Sequence, residues 1–360
     1  MDAGADGRKI IHCDCDCFFA AVEIRDDPSL AELPIAVGGS HRRRGVIATC
    51  NYRAREYGIH SAMPTARALR LCPGLVLIPP DFEKYREAAM AVRRIFHRFT
   101  DRVEPLSLDE AYLDVSDSEH CRGSATLIAR EVRSAIRREV GITASAGVAP
   151  NKFLAKIASD WRKPDGLFVV CPDDVDTFVS GLPVRKLSGV GKATERKLDR
   201  FGVVTCGDLR RIGLAELVDA FGAFGHRLYE LSRGIDNRPV MVERIRKSLS
   251  VEQTYAADLP DLDSCLAKLP ELFMQFRQRL RRLDDRYQVT RQFLKIRFDD
   301  FTITTVERHC PGGVALESYQ RLCDEGWRRG TRPVRLLGVG VRLADMAPGS
   351  GGRQLALFDA

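Results

Sequence analysis

The stretch HCDCDCFFAAVE, residues 12 to 23, decides how the chain reads. From Cys13 to Cys17, thiols alternate with the carboxylates of Asp14 and Asp16. Residues 9 to 15, KIIHCDC, read as a buried strand, and FFAAVE opens a helix at about Phe18. Successive side chains on a strand face opposite ways, so Cys13 and Cys15 share a face with Ile11. His12, Asp14 and Asp16 share the other face. The thiols are then directed into an apolar core and the carboxylates outward, and the two sets do not gather on one ion. Tetrahedral zinc sites usually draw ligand pairs spaced two to four residues apart from two places. No CxxC pair occurs among the eleven cysteines. The carboxylates suit a hard, oxygen-seeking ion such as magnesium.

With 360 residues, the chain is too long for one compact core, so two or more domains are expected. Hydrophobic residues make up 44% and charged residues 29%, as in a globular protein. No apolar run approaches the roughly 20 residues that span a bilayer. The start, MDAGADGRK, lacks the apolar core of a signal peptide. A cytoplasmic location away from membranes is expected, with the scattered cysteines reduced and buried. The net charge of +7 is modest, but its distribution is uneven. RRRGVIATCNYRAR (42 to 55) holds five arginines and no acid, and residues 277 to 297 hold eight bases against two acids. Such clusters suit a polyanionic partner or a solvated surface.

Strand and helix signals alternate over the first 170 residues in an α/β order. From Pro172 the chain turns to short helices broken by glycine. Residues 237 to 247, NRPVMVERIRK, lack periodicity and read as a linker. A β-α-β-β-α-β order follows, from SVEQTYAADL to VRLLGVGVRLADM. APGSGGRQLALFDA closes the chain as a flexible spacer and a short apolar patch.

One carboxylate holds a catalytic ion poorly. A second source is PLSLDEAYLDVS, where Asp109 and Glu110 lie within an apolar strand context. Charged pairs are rarely buried there without a partner or a metal, although an exposed turn would also carry them. Together the two stretches resemble a polymerase palm, in which carboxylates from adjacent strands bridge two ions about 4 Å apart. Asp14 and Asp109 are the expected ligands, and Glu110 is the third acid, beside the hydroxyl-activating ion.

The resemblance then becomes specific. DxDxFFAxVE, GVIATxNYxAR, SAMPTxxAxxLCP, PLSLDEAYLDV, TASAGVAPNKFLAKIASD and KPxG occur in order over about 170 residues. Together they resemble the Y-family DNA polymerases, in particular the bacterial polymerase IV (DinB) type. That resemblance implies an α+β multidomain right hand. Its ferredoxin-like palm would take residues 1–20 and 81–170, and small fingers 21–80. A helix-hairpin-helix thumb would take 171–236 and a linker 237–247. An α+β little finger would cover 248–345, and a tail 346–360.

It further implies two magnesium ions, with manganese possible, and the backbone carbonyl of Cys15 completing a metal site. Asp16 matches no ligand in the family. Phe19 matches a steric gate against a ribose 2′-hydroxyl, while Phe18 reads as core. Tyr52, Arg55 and Lys163 match triphosphate-holding residues. Gly189 and Gly191, between two expected helices, suit a phosphate contact through backbone amides, with FGAFG (221 to 225) as a poorer second copy. Lys247, Arg291, Lys295 and Arg297 are expected against DNA phosphates. The terminal QLALF, with Gln354, Leu355, Leu357 and Phe358, resembles a peptide that docks on a sliding clamp.

The expected activity is low-fidelity translesion synthesis by a monomer, on primed template with dNTPs and without a proofreading exonuclease. A non-catalytic DNA-binding scaffold is one rival, against which the three intact acids stand. A palm-fold nucleotidyl cyclase is another, which would need no duplex and hence no helix-hairpin-helix or clamp peptide.

Overall fold

The computed structural model describes residues 7–310 and 313–346. The chain separates into two compact units. The first takes residues up to Gly38, then Ile47–Met63 and Ala68–Glu243, and the second takes Gly39–Val46, Pro64–Arg67 and the chain from Arg244 onward.

The first unit opens with β1 (Ile10–Cys15) and α1 (Phe18–Asp26), followed by β2 (Ile35–Gly38), β3 (Ile47–Cys50) and α2 (Tyr52–Glu56). After α3 (Thr65–Leu71), which belongs to this unit from Ala68 onward, come β4 (Val76–Ile78), α4 (Phe82–Phe96), β5 (Val103–Pro105) and β6 (Glu110–Asp114). Then follow α5 (Ala125–Ala135), β7 (Ala144–Ala149), α6 (Lys152–Trp161) and β8 (Leu167–Val169). The main sheet runs β5-β6-β1-β7-β8, and β2 lies between β3 and β4 in a smaller one. In the main sheet β1 is antiparallel to both β6 and β7. The steps β1-α4-β5 and β6-α5-β7 interleave, which is the ferredoxin-like arrangement.

Each helix has a local reason to start. Asp81 accepts from the N–H groups of Glu83 and Lys84 at α4, Ser124 caps α5, and Asn151 accepts from Leu154 N at α6. On β1 the alternation works as expected for the thiols. Ile11, Cys13 and Cys15 pack with Tyr85 and Val92 of α4 and with Ile128 and Val132 of α5.

The opposite face departs from the expectation. His12 and Asp16 are 0% and 1% exposed rather than directed to solvent. The reason is a second covering layer. Ile10 and Tyr112 on that face pack against Phe153 and Leu154 of α6 and the apolar side chains of the helices that follow. Both faces of the sheet are therefore buried, and its polar residues must find partners.

Those following helices are α7 (Val175–Ser180), α8 (Lys192–Asp199), α9 (Cys206–Leu209), α10 (Leu214–Phe221) and α11 (Ala223–Leu231). Before Gly189 stands one 3-10 turn, Val184–Lys186, where the sequence suggested a helix. FGAFG, the weaker candidate, is the one with α-helices on both sides, α10 and α11. The two turns meet. Gly189 has φ +91°, and a Cβ there would stand 2.8 Å from the Phe224 ring. Residues 237–247 form no helix or strand, yet Met241 N donates to Glu104 (2.8 Å) and Lys152 Nζ to the Pro239 carbonyl (3.1 Å). The expected linker thus begins as a strap fastened to its own unit.

The second unit has the expected β-α-β-β-α-β order: β9 (Ser248–Leu259), α12 (Leu262–Leu280), β10 (Tyr287–Phe298), β11 (Ile303–His309), α13 (Leu316–Arg328) and β12 (Val334–Asp345). Its sheet runs β11-β10-β12-β9. Leu294, Ile296 and Phe298 of β10 pack beneath α12 and α13, leaving Arg291, Lys295 and Arg297 on the other face.

Candidate active site

The strand register assembles the acids. Asp14 of β1 lies directly across from Glu110 of β6. Cys15 N–H donates to the Asp109 carbonyl at 2.9 Å, which holds the turn before β6 against the end of β1. Asp14, Asp109 and Glu110 thus meet at one end of the sheet. Burial pushes Asp14 up to about 6; Lys163 opposes that rise, and the charges of Asp109 and Glu110 add to it. Burial also acts to raise Glu110, but His12 and Lys156 outweigh it and hold that carboxyl at about 2.

Lysines neutralise this acidic end. Lys163 Nζ lies 2.8 Å from Asp14 Oδ1 and 3.4 Å from Asp160 Oδ1, and Lys156 is paired with Glu110. Asp109 accepts from Ser107 Oγ at 2.5 Å. Among the described residues no three Asp, Glu, His or Cys side chains already converge on one point as a metal cage. The donor chemistry nevertheless fits a hard dication. The three groups are oxygen donors on adjoining backbone, and each of the two carboxylates turned to a lysine already carries a cation.

Behind the acids lies a buried polar layer. His12 Nε2 is 3.2 Å from Glu110 Oε2, and Nδ1 is 2.8 Å from Ser159 Oγ of α6. Burial lowers the imidazole pKa, with the Glu110 contact opposing that fall. The ring thus bridges Glu110 of β6 and Ser159 of α6. Asp16 accepts from the hydroxyls of Thr143 and Ser145 and from Asp165 N–H, each at 2.8 Å.

The two phenylalanines separate as expected. Phe18 is 2% exposed and belongs to the core, whereas Phe19 is half-buried at its edge. The turn that delivers them is tight, since Cys17 caps α1 at φ 42°, ψ 45°, an uncommon conformation for a non-glycine residue. Phe19 stacks on Tyr85, ring centroids 4.3 Å apart and planes at 17°. Tyr85 is held in turn by donating to Glu23 at 2.5 Å, and Lys84 donates to the other oxygen of Glu23 at 2.7 Å. Tyr52 and Arg55 share α2, with the guanidinium 4.4 Å above the Tyr52 ring, and the Tyr52 hydroxyl lies 3.4 Å from Asp16 Oδ1. Tyr52 and Asp16 are therefore linked, and among the described residues no hydrogen bond or ion pair joins Arg55 to Asp14, Asp109 or Glu110.

The sequence passed over His12, Lys156, Ser159, Glu23 and Tyr85. His12 and Glu23 lie inside the opening stretch, and their signal was a polar residue on a strand or helix face that proves buried. In the second unit, Lys247 is exposed, Arg291 pairs with Glu307 (3.3 Å), and Lys295 with Glu252 (2.9 Å). Gln354, Leu355, Leu357 and Phe358 lie outside the described residues. Among the described residues no helix is long and apolar enough to cross a membrane.

Comparison with known proteins bears on the family and the fold. Residues 13–160 match the impB/mucB/samB family, 246–357 its C-terminal domain, and 185–236 a model described as the DNA polymerase-iota thumb domain. A chimeric Y-family DNA polymerase superposes with a TM-score of 0.84 at 28% identity, covering 93% of this chain and 98% of its own. An insertion ternary complex of Dbh DNA polymerase covers 94% and 99%, with a TM-score of 0.65 at 26% identity. A palm with paired acids, a hairpin-bearing helical region and an α+β C-terminal unit define a template-directed polymerase, and the chain belongs to the Y-family of DNA polymerases. Its relatives include the DNA polymerase IV of Ectopseudomonas mendocina, 60% identical over 339 residues (94% of this chain, 96% of the relative). That of Pseudomonas fluorescens is 57% identical over 352 residues (98% and 99%).

Proposed function

We propose that Asp14, Asp109 and Glu110 hold the divalent ions of a DNA-directed DNA polymerase that performs translesion synthesis from dNTPs. The observation that carries this is the Asp14–Glu110 cross-strand pair with Asp109 tied to Cys15. Two magnesium ions, replaceable by manganese, would activate the primer 3′-hydroxyl and stabilise the pyrophosphate leaving group. The Cys15 carbonyl would join the three carboxylates in holding them.

The protein's own groups do the rest. Against the effect of burial, His12 and Lys156 hold Glu110 below the ordinary carboxylate range and so favour its ionised form. Lys163 and Tyr52 hold the triphosphate, with Arg55 supplying a forked donor. The half-buried Phe19 ring, fixed from behind by Tyr85, leaves no room for a 2′-hydroxyl. Gly189, Gly191, Lys247, Arg291, Lys295 and Arg297 meet the DNA backbone without reading bases. QLALF tethers the enzyme to a sliding clamp, and the enzyme works as a monomer in the cytoplasm.

The test is extension of a primed template with single dNTPs and magnesium, comparing the unaltered protein with Asp109→Ala. Extension by the first and none by the second is expected. Equal extension by both would remove Asp109 from the reaction. Template binding by both with extension by neither would favour a scaffold.

A further inference from the structure

Asp16 is the acid of the opening stretch that the scheme above leaves without a task. Its residue is 1% exposed, and among the described residues no lysine or arginine forms an ion pair with it. A buried carboxylate without a cation is costly unless its lone pairs are satisfied. Here hydroxyl and amide donors satisfy them. Oδ2 accepts from Thr143 Oγ1 and Asp165 N at 2.8 Å, and Oδ1 from Ser145 Oγ at 2.8 Å and Tyr52 Oη at 3.4 Å.

These donors come from separate parts of the first unit. Thr143 and Ser145 stand at the start of β7. Asp165 lies in the KPDG loop after α6, two residues from Lys163. Tyr52 begins α2. Gly166 N–H donates to Ser145 Oγ at 3.2 Å, and Arg133 Nη2 to Asp165 Oδ1 at 2.8 Å, so the loop is gripped on both sides. At the other end of the same loop, Lys163 Nζ reaches Asp14. Two groups assigned to the triphosphate, the Tyr52 hydroxyl and the Lys163 ammonium, are thus placed through one buried carboxylate.

We infer that Asp16 is a positioning residue for the incoming nucleotide, setting the Lys163 loop and the Tyr52 hydroxyl where the triphosphate is held. This rests on the reading of Lys163 and Tyr52 as triphosphate residues. An amide in place of the carboxylate keeps the size of the group. With Nδ2 in the place of Oδ1, the Ser145 and Tyr52 hydroxyls can turn to accept from it, and the remaining oxygen can keep Thr143 Oγ1 and the Asp165 N–H, so Asp16→Asn is compatible with the fold but loosens the set.

The experiment is single-turnover dNTP incorporation by the full chain on a primed template. It compares Asp16→Asn, Lys163→Ala and the double variant, with melting temperature and template affinity measured alongside. Asp16→Asn is expected to raise the dNTP Kd by about 10- to 100-fold, with a smaller change in maximal rate. Melting temperature and template affinity should hold. In the Lys163→Ala background the added effect should shrink, because the two act through one loop. An unchanged dNTP Kd in Lys163→Ala overturns the triphosphate reading and this inference with it. A weakened Lys163→Ala beside an unaffected Asp16→Asn overturns the inference alone. So does full additivity, or a loss that tracks melting temperature. Where Asp16→Asn fails to fold, Ser145→Ala replaces it: a raised dNTP Kd at unchanged template affinity supports the role, and an unchanged Kd overturns it.

Discussion

Phe18 and Phe19 are identical in chemistry and adjacent in sequence, yet the helix turns them to different duties. Phe18 fills the core between β1 and α4, at 2% exposure. Removing its ring leaves a cavity, and Phe18→Ala should cost about 3–5 kcal/mol of stability. Phe19 packs only partly, against Tyr85 and Phe82. Phe19→Ala should cost less in stability but raise incorporation of ribonucleotides relative to deoxyribonucleotides. Urea denaturation and paired dNTP and rNTP incorporation assays measure the two effects. A ribonucleotide gain in Phe18→Ala equal to that in Phe19→Ala would sink the assignment. Glu23 belongs to the same set at one remove, since it fixes the Tyr85 ring on which Phe19 stacks.

Helix α6 shows how an element is held by residues far along the chain. Its N-terminus is capped locally by Asn151, whose Nδ2 also donates to the Gly234 carbonyl at 2.8 Å. Phe153 N–H, in the first turn, donates to the buried Asp236 carboxylate at 3.0 Å. Burial acts to raise the Asp236 pKa, but Arg238 and Arg227 outweigh it and hold the carboxyl below its ordinary value of 3.8. A depressed carboxyl contributes stability that is fully present above the unfolded value and is lost as pH falls through the folded one. Asp236→Ala should therefore cost about 3–5 kcal/mol at neutral pH, because two arginines and a helix N–H lose their partner. Denaturation across pH should also show a flatter acid limb in this variant; an acid limb as steep as the unaltered protein's would contradict the linkage. None of this was legible locally. The alternation of β1 announced which residues share a face, and DxDxFF announced that Phe18 goes to the core and Phe19 to its edge. That α6 would cover the second face, making Asp16 and His12 interior residues, depended on contacts 127 to 149 residues apart. Helix boundaries near Gly189 failed for a related reason. Gly189 takes a left-handed φ there, and Phe224, 35 residues on, stands where a Cβ would sit.

At the scale of the whole molecule, a net charge of +7 supplies general attraction to a polyanion, and local pairing decides where it acts. On the outer face of the second unit's sheet, Arg291 and Arg342 share Glu307, while Lys295 pairs with Glu252 and Arg297 lies on the same strand face. Four bases less two acids leaves that face at +2. Exposed pairs of this kind are worth little to the fold, so their loss should scarcely alter stability. Phosphate contacts, by contrast, release counterions, and each one lost flattens the dependence of log Kd on log salt by about 0.9 on duplex DNA. Arg291→Ala combined with Lys247→Ala should flatten the slope by up to about 1.8 and weaken binding to unrelated primed duplexes by the same factor. Equilibrium binding from low to moderate salt on two sequences measures both. An unchanged slope would remove these residues from the DNA contact. A loss confined to one sequence would instead mean base reading.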